Sequence, residues 1–126
     1  MTPACIGRWR RPAGGVNVNG KLTLGENIGD NAGLRIAYLA YKQSLGEKEA
    51  PVVDGMTGDQ RFFIGWTNSW CGNATEEALR NQIQTDPHSP GQFRGAGPLL
   101  NMEEFEKAWG CKQGDPMAPE TRCRVW

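Results

Sequence analysis

The 126 residues contain one histidine, no C-x-x-C pair, no net charge and no long apolar run. Each absence removes a class of function. Lys+Arg and Asp+Glu both number 14, so there is no electrostatic case for nucleic acid or an anionic membrane. Arg8, Arg10 and Arg11 form the one basic cluster, and so short a run reads as solvated surface. No segment approaches the roughly 20 apolar residues of a membrane span. The opening "MTPACIGRWRRP" lacks the apolar centre of a signal peptide. The expectation is a chain with neither export signal nor anchor. Cys5, Cys71, Cys111 and Cys123 lie too far apart for a cysteine zinc finger. Their even count suits disulfides in an oxidising compartment. It equally suits four buried thiols in a cytosolic protein, and spacing does not choose between them.

What is present is mostly helical pattern broken by glycine and proline. Residues 1–24 read as an irregular segment, with one short strand at Val16–Val18. A helix is predicted over Gly25–Ser44. Ile28, Ala32, Ile36, Leu39 and Ala40 recur every three or four residues, and Leu34, Ala37, Tyr38 and Tyr41 add apolar surface elsewhere. A helix apolar nearly all round is expected to be buried. Asp59 reads as the N-cap of a second helix to about Trp70, with Phe62, Trp66 and Trp70 on one stripe. Thr75 reads as the N-cap of a third, with Leu79 and Ile83 on one face. Residues 86–100 hold three prolines and three glycines and read as irregular. Asn101 and Glu104 have the spacing of a capping box for a fourth helix that buries Phe105, Ala108 and Trp109. The expected fold is mainly α, about four helices joined by long ordered loops. Five tryptophans and four phenylalanines need more surface to pack against than such a unit offers. The chain therefore reads as a piece of a larger body.

Two stretches carry chemistry. In "GENIGDNAGLRIAYLAY", Glu26 and Asp30 stand one helical turn apart on one face. Acids at a helix N-terminus are favoured by the dipole and often remain solvated; a buried carboxylate must be paired, hydrogen-bonded or bound to metal. In "DPHSPGQFR", His88 sits between two prolines that stiffen its loop. Read alone, His88 is an exposed loop histidine, Arg94 a surface ion pair and Trp70 core packing.

The segment "NGKLTLGENIGDNAG" resembles the E-N-x-x-D signature of the neprilysin family of zinc metallopeptidases. The likeness continues through "GLRIAYLAYK", "RFFIGWTNSWCG", "DPHSPGQFRGAGPLLNMEEFEKAWGC" and the terminal "CRVW"; residues 1 to about 15 match poorly. It implies that residues 25–126 are the C-terminal portion of a thermolysin-like, neprilysin-type catalytic domain. It implies Glu26 as the third zinc ligand and Asp30 as the acid that orients a ligand histidine. A carboxylate oxygen suits zinc in a two-His, one-Glu site, and an acid one turn away suits the second N–H of such a histidine. His88 resembles the histidine that stabilises the oxyanion, Arg94 the arginine that binds a substrate carbonyl, and Trp70 part of the pocket for the residue after the scissile bond. The resemblance also pairs Cys5 with Cys123 and gives Cys71 and Cys111 partners in an N-terminal region. It implies peptide substrates, one zinc ion, and an extracellular, cell-surface or periplasmic location.

The family's H-E-x-x-H, which supplies two ligands and the general base, does not occur in these residues. One histidine and one helical glutamate cannot complete the site, so the chain alone is expected to be inactive until an N-terminal portion joins it. The competing expectation is a non-catalytic domain that keeps the fold and binds peptides or a partner through the face around Trp66 and Trp70. Without the rest of the enzyme, part of that face is expected to be exposed.

Overall fold

A computed structural model describes residues 15–124. Among them are five α-helices, one 3-10 turn and no strand: α1 (Leu24–Leu45), α2 (Gly58–Asn68), α3 (Glu76–Thr85), α4 (Gly91–Ala96), the 3-10 turn Pro98–Asn101, and α5 (Glu103–Trp109). The mainly helical expectation holds. The strand expected at Val16–Val18 does not form; Val18 instead packs with Ile83 and Phe93 in a small cluster edged by Val16 and Leu79.

The main core lies where α1, α2 and α5 meet. Leu34, Tyr38, Phe63, Leu99, Met102 and Phe105 form it, with Tyr41, Phe62 and Trp66 packed around them. Phe63 is its centre: the ring stacks on Tyr38 at 5.4 Å between centroids and meets Phe105 edge-on at 5.5 Å. Offset stacks and edge contacts of this kind add to the burial of the rings. The Phe62–Trp66–Trp70 stripe therefore flanks the core, and its sequence neighbour Phe63 fills it. Tyr38 donates to Asp59 Oδ2 at 2.9 Å, and Lys42 closes on the same carboxylate at 3.1 Å. Burial, reinforced by Asp59, pushes the Tyr38 phenol above its ordinary range.

Several local expectations are corrected. Helix α1 is not buried all round: Asp30, Asn31, Leu34 and Tyr38 face inward, whereas Ile36 is 56% and Leu39 51% exposed. Among the described residues no second layer covers that side. The N-cap of α2 is Thr57, not Asp59. Thr57 Oγ1 accepts from the Gln60 amide, and the Gln60 side chain accepts from the Thr57 amide, a complete capping box. Asp59 is engaged by Tyr38 and Lys42 instead. Thr75 does cap α3, accepting from the Ala78 amide at 3.2 Å. Asn101 does not cap α5; its side chain donates to Asn31 at 2.6 Å and accepts from the Cys123 amide at 2.8 Å. Residues 86–100 are not irregular throughout. Pro90 precedes α4 and Pro98 opens the 3-10 turn, positions where a missing N–H costs nothing. Helix α5 ends on Gly110 at φ +66°, the left-handed region that glycine enters without strain.

The tail is tied back by Arg122, which pairs with Glu106 on α5. Cys71 and Cys111 are free thiols. Cys5 lies outside the described residues, and with it the expected pairing to Cys123.

Phe63→Ala is expected to cost about 3–5 kcal/mol, the usual range for emptying a fully buried aromatic site. A urea titration followed by far-UV circular dichroism reads this as a lower midpoint; an unchanged midpoint would show that the core is not centred on Phe63.

Candidate functional site

Four parts of the chain converge beside the N-terminal half of α1. That helix brings Glu26, Asn27 and Asp30. The segment after α2 brings Trp70, the loop between α3 and α4 brings Asp86, His88 and Ser89, and α4 brings Arg94.

The centre is an ion pair. Arg94 Nε donates to Asp30 Oδ2 and Nη2 to Oδ1, both at 2.7 Å. The two side chains are only 10% and 17% exposed. This parallel, two-bond geometry is the strong form of an arginine–carboxylate contact. Arg94 is held above its already high ordinary value, chiefly by its hydrogen bonds to Asp30 acting against the burial that opposes them. The guanidinium carbon also lies 3.9 Å from the centre of the Trp70 ring, a cation–π contact with the cation largely desolvated. Two of the five N–H donors are spent on Asp30, and the remainder can serve a carbonyl.

Trp70 is seated by α4 on its other sides. A Cβ at Gly91 would stand 2.7 Å from the Trp70 carbonyl oxygen, so only glycine lets the helix begin there. Trp66 Nε1 donates to the Gly95 carbonyl at 3.1 Å, and the two indoles meet edge-on at 5.4 Å. The Trp70 N–H is buried with no hydrogen-bond partner among the described residues. Both indoles are half-buried; the most exposed large apolar side chains lie on α1 and in the α1–α2 loop instead.

His88 lies between two acids. Nδ1 is 2.7 Å from Asp86 Oδ1, and Nε2 is 3.1 Å from Glu26 Oε2. Both contacts are hydrogen bonds at once only for the imidazolium, because the neutral ring carries a single N–H. Asp86 Oδ1 also accepts the His88 amide at 2.8 Å, the local turn that Asp favours two residues ahead of its donor. That amide, then the ring N–H, holds the Asp86 carboxyl below its ordinary 3.8. Sequence reasoning missed Asp86. Its signal was the D-P-H order itself, an acid two residues before a histidine across a proline.

The four residues expected at one site, Glu26, Asp30, His88 and Arg94, are thus brought together in two contacting pairs, Glu26–His88 and Asp30–Arg94, with Trp70 against the second. Glu26 is 44% exposed, open enough for its carboxylate to turn to another cation. Among the described residues no three His, Cys, Asp or Glu side chains come close enough to hold a metal ion. Glu26 fits a metal as a single oxygen donor, so the remaining ligands of a tetrahedral zinc site have to come from other residues.

A peptidase family M13 model matches residues 8–125. Neprilysin-3 of Drosophila melanogaster is 42% identical over 116 residues, which is 89% of this chain and 15% of that protein. Human endothelin-converting enzyme 1 is 45% identical over the same shares. The open-state structure of a Mycobacterium tuberculosis zinc metalloprotease superposes with a TM-score of 0.85 at 38% identity, over 98% of this chain and 21% of that one. An inhibitor complex of that enzyme gives 0.83 at 39% identity, covering 100% and 19%. The chain therefore shares the fold of these proteases and spans about one seventh of the length of the curated relatives it matches.

Asp30→Ala and Arg94→Ala are each expected to cost about 3–5 kcal/mol, because each leaves a buried charge unpaired. The double variant is expected to cost clearly less than the sum, which a double-mutant cycle in urea measures; additive losses would mean the pair is not coupled. Asp86 carries a pH dependence of known sign. Its folded value lies below its ordinary one, so its contribution is complete above about pH 4 and disappears as pH falls through the folded value. Asp86→Asn is expected to lower the urea midpoint at neutral pH by that contribution and to remove that part of the acid-side fall. Identical acid profiles for the two proteins would refute it.

Proposed function

The chain belongs to peptidase family M13, and from that membership we propose that it is the C-terminal catalytic-domain portion, residues 25–126, of a zinc-dependent metalloendopeptidase. The single observation that carries this reading is the convergence of Glu26, His88, Asp30 and Arg94 on one patch. Four residues drawn from three segments of sequence have no reason to meet if they are merely solvated charges.

In this reading Glu26 is the third ligand of one zinc ion. Zinc, when bound, supplies Lewis-acid polarisation and an activated water. The chain's own residues do the rest. His88 is held by Asp86 through Nδ1, which fixes the ring and points Nε2 outward. Were Glu26 to serve as a zinc ligand, Nε2 would be free to donate to the oxyanion that develops on the scissile carbonyl, with the ring already oriented by Asp86. Arg94, oriented by both oxygens of Asp30, donates to a substrate backbone carbonyl. An ionised carboxylate accepts at about four positions, so Asp30 can also take the ring N–H of a ligand histidine from the rest of the enzyme. Trp70, clamped between Arg94 and the start of α4, forms one wall of the pocket for the residue after the scissile bond.

The 126 residues hold one histidine, so two ligands and the general base are supplied by an N-terminal portion bearing H-E-x-x-H, and the isolated chain is inactive. A Cys5–Cys123 disulfide, and an extracellular, cell-surface or periplasmic parent, belong to the same reading; Cys71 and Cys111, both free thiols, would pair with that N-terminal portion. No described helix is long and apolar enough to cross a membrane.

The test is zinc content and cleavage of a peptide library, on the chain alone and after joining it to an upstream segment with H-E-x-x-H. No zinc alone, but about one zinc and cleavage on joining, both lost with Glu26→Gln, is the expected result. Stoichiometric zinc and cleavage by the chain alone would overturn the ligand assignment. Peptide binding without cleavage by the joined protein would favour a non-catalytic binding domain.

A further inference from the structure

Four polar side chains are buried among the described residues: Thr23, Asp30, Asn31 and Ser89. Asp30 is accounted for by Arg94. The other three are linked through one residue that is not itself a ligand, an acid or a base. Ser89 Oγ donates to Asn27 Oδ1 at 2.9 Å. Asn27 Nδ2 donates to Thr23 Oγ1 at 3.1 Å. The Asn27 carbonyl accepts from Asn31 Nδ2 at 2.7 Å, and Asn31 in turn accepts from Asn101 at 2.6 Å. Asn27 thus uses both halves of its amide and its own carbonyl in one polar line across the front of α1.

The position of this line matters. Asn27 follows Glu26 directly and Ser89 follows His88 directly. The Ser89–Asn27 bond therefore joins the neighbours of the two residues whose separation the chemistry needs. The loop makes few other direct hydrogen bonds to α1. Pro87 and Pro90 have no N–H to give. The Asp86 carboxylate bonds only to His88, and the Asp86 amide ties the loop to the end of α3, on the Gln82 carbonyl at 2.8 Å, not to α1. The contact from α3, Gln82 Nε2 to the His88 carbonyl, is long at 3.5 Å. Among the described residues, the Ser89 hydroxyl makes the one short hydrogen bond from this loop to α1 that does not use the His88 ring. Ser89 is also nearly inaccessible to water, at 2% exposure, so its hydroxyl finds no solvent partner if this bond is lost.

We infer that the Asn27–Ser89 hydrogen bond is a latch that sets the distance between Glu26 and His88, making both Asn27 and Ser89 positioning residues for the reaction proposed above. The catalytic part of this inference rests on that proposal; the latch itself does not. Displacing an oxyanion donor by about 1 Å costs on the order of 100-fold in turnover, although neither Asn27 nor Ser89 touches substrate.

Two measurements test it separately. In the 126-residue chain His88 is the single histidine, so its ring protons give one isolated set of NMR signals. Their NOEs to α1 side chains are expected to be strong in the native chain and lost in Ser89→Ala and in Asn27→Ala, while Phe63–Phe105 NOEs and helical content persist. Unchanged His88 NOEs in both variants would overturn the latch, as would failure of both to fold. In the chain joined to its H-E-x-x-H segment, each variant is expected to lower kcat about 10–100-fold, with KM and zinc content within about twofold. The double variant is expected to be no worse than the poorer single one. A kcat that is unchanged, or that falls only with the folded fraction, would overturn the positioning role. A joined native protein that cleaves nothing would defeat the peptidase reading, and the NOEs alone would then decide the latch.

Discussion

Asp30 and Arg94 sit largely out of water, and neither charge is tolerable there without the other. Removing two ions from solvent costs several kcal/mol each, and their attraction in the interior roughly offsets this only when the geometry is good. Here the geometry is the two-bond form with both distances at 2.7 Å. Such a pair is a poor means of adding stability. It is a good means of specifying position, because displacing either partner leaves a buried charge unmatched. Asp30 belongs to the first turns of α1 and Arg94 to the six-residue helix α4, which is too short to hold its own shape. The pair therefore fixes α4 on α1. With α4 come Gly91 and Gly95, which seat the indoles, and Pro90, which ends the loop carrying His88.

The energy that holds this arrangement lies elsewhere, in the aromatic core beneath it. Phe63, Tyr38, Phe105 and Leu34 bury apolar surface on the inward side of α1 and leave its other side uncovered. One face of the helix thus builds the core while its first two turns present the acids. The two tasks share the inward face and are separated along the helix, Asp30 standing one turn before Leu34 and two before Tyr38. The open side, with Ile36 and Leu39, is in keeping with a chain that spans about one seventh of its relatives' length.

Much of this was legible in the sequence. The 3.6-residue period located α1 within one residue at each end, and Thr75 named its own helix, since caps and periods are properties of a few adjacent residues. Glu26, Asp30, His88, Arg94 and Trp70 were identifiable by resemblance to a family pattern. Errors arose wherever a side chain had a choice of partner. Asn101 has the spacing of a cap, yet Asn31 and the Cys123 amide take its amide first. Asp59 looked like an N-cap, but Thr57 stood two residues earlier with Gln60 in register to complete the box. The prolines of residues 86–100 suggested an absence of structure, whereas two of the three, Pro90 and Pro98, occupy helix starts. Ile36 and Leu39 fit the apolar period and are nonetheless outside, because periodicity finds apolar residues and cannot say how many faces the rest of the chain will cover.

The sequence by itself determined the long helix α1 and the positions of α2, α3 and α5, that the charges balance, and that a single histidine cannot complete a two-histidine zinc site. Those conclusions depend on local backbone preference and on counting, both of which are complete in one dimension. Only the tertiary structure decided that Asp30 takes Arg94, that Asp86 and Glu26 flank His88, and that Asn27 binds Ser89. Apart from Asp86 and His88, two residues from one another, these partners stand far apart along the chain. Each such pairing is settled by which polar groups the packed fold brings within hydrogen-bond distance, and that distance has no counterpart in the order of residues.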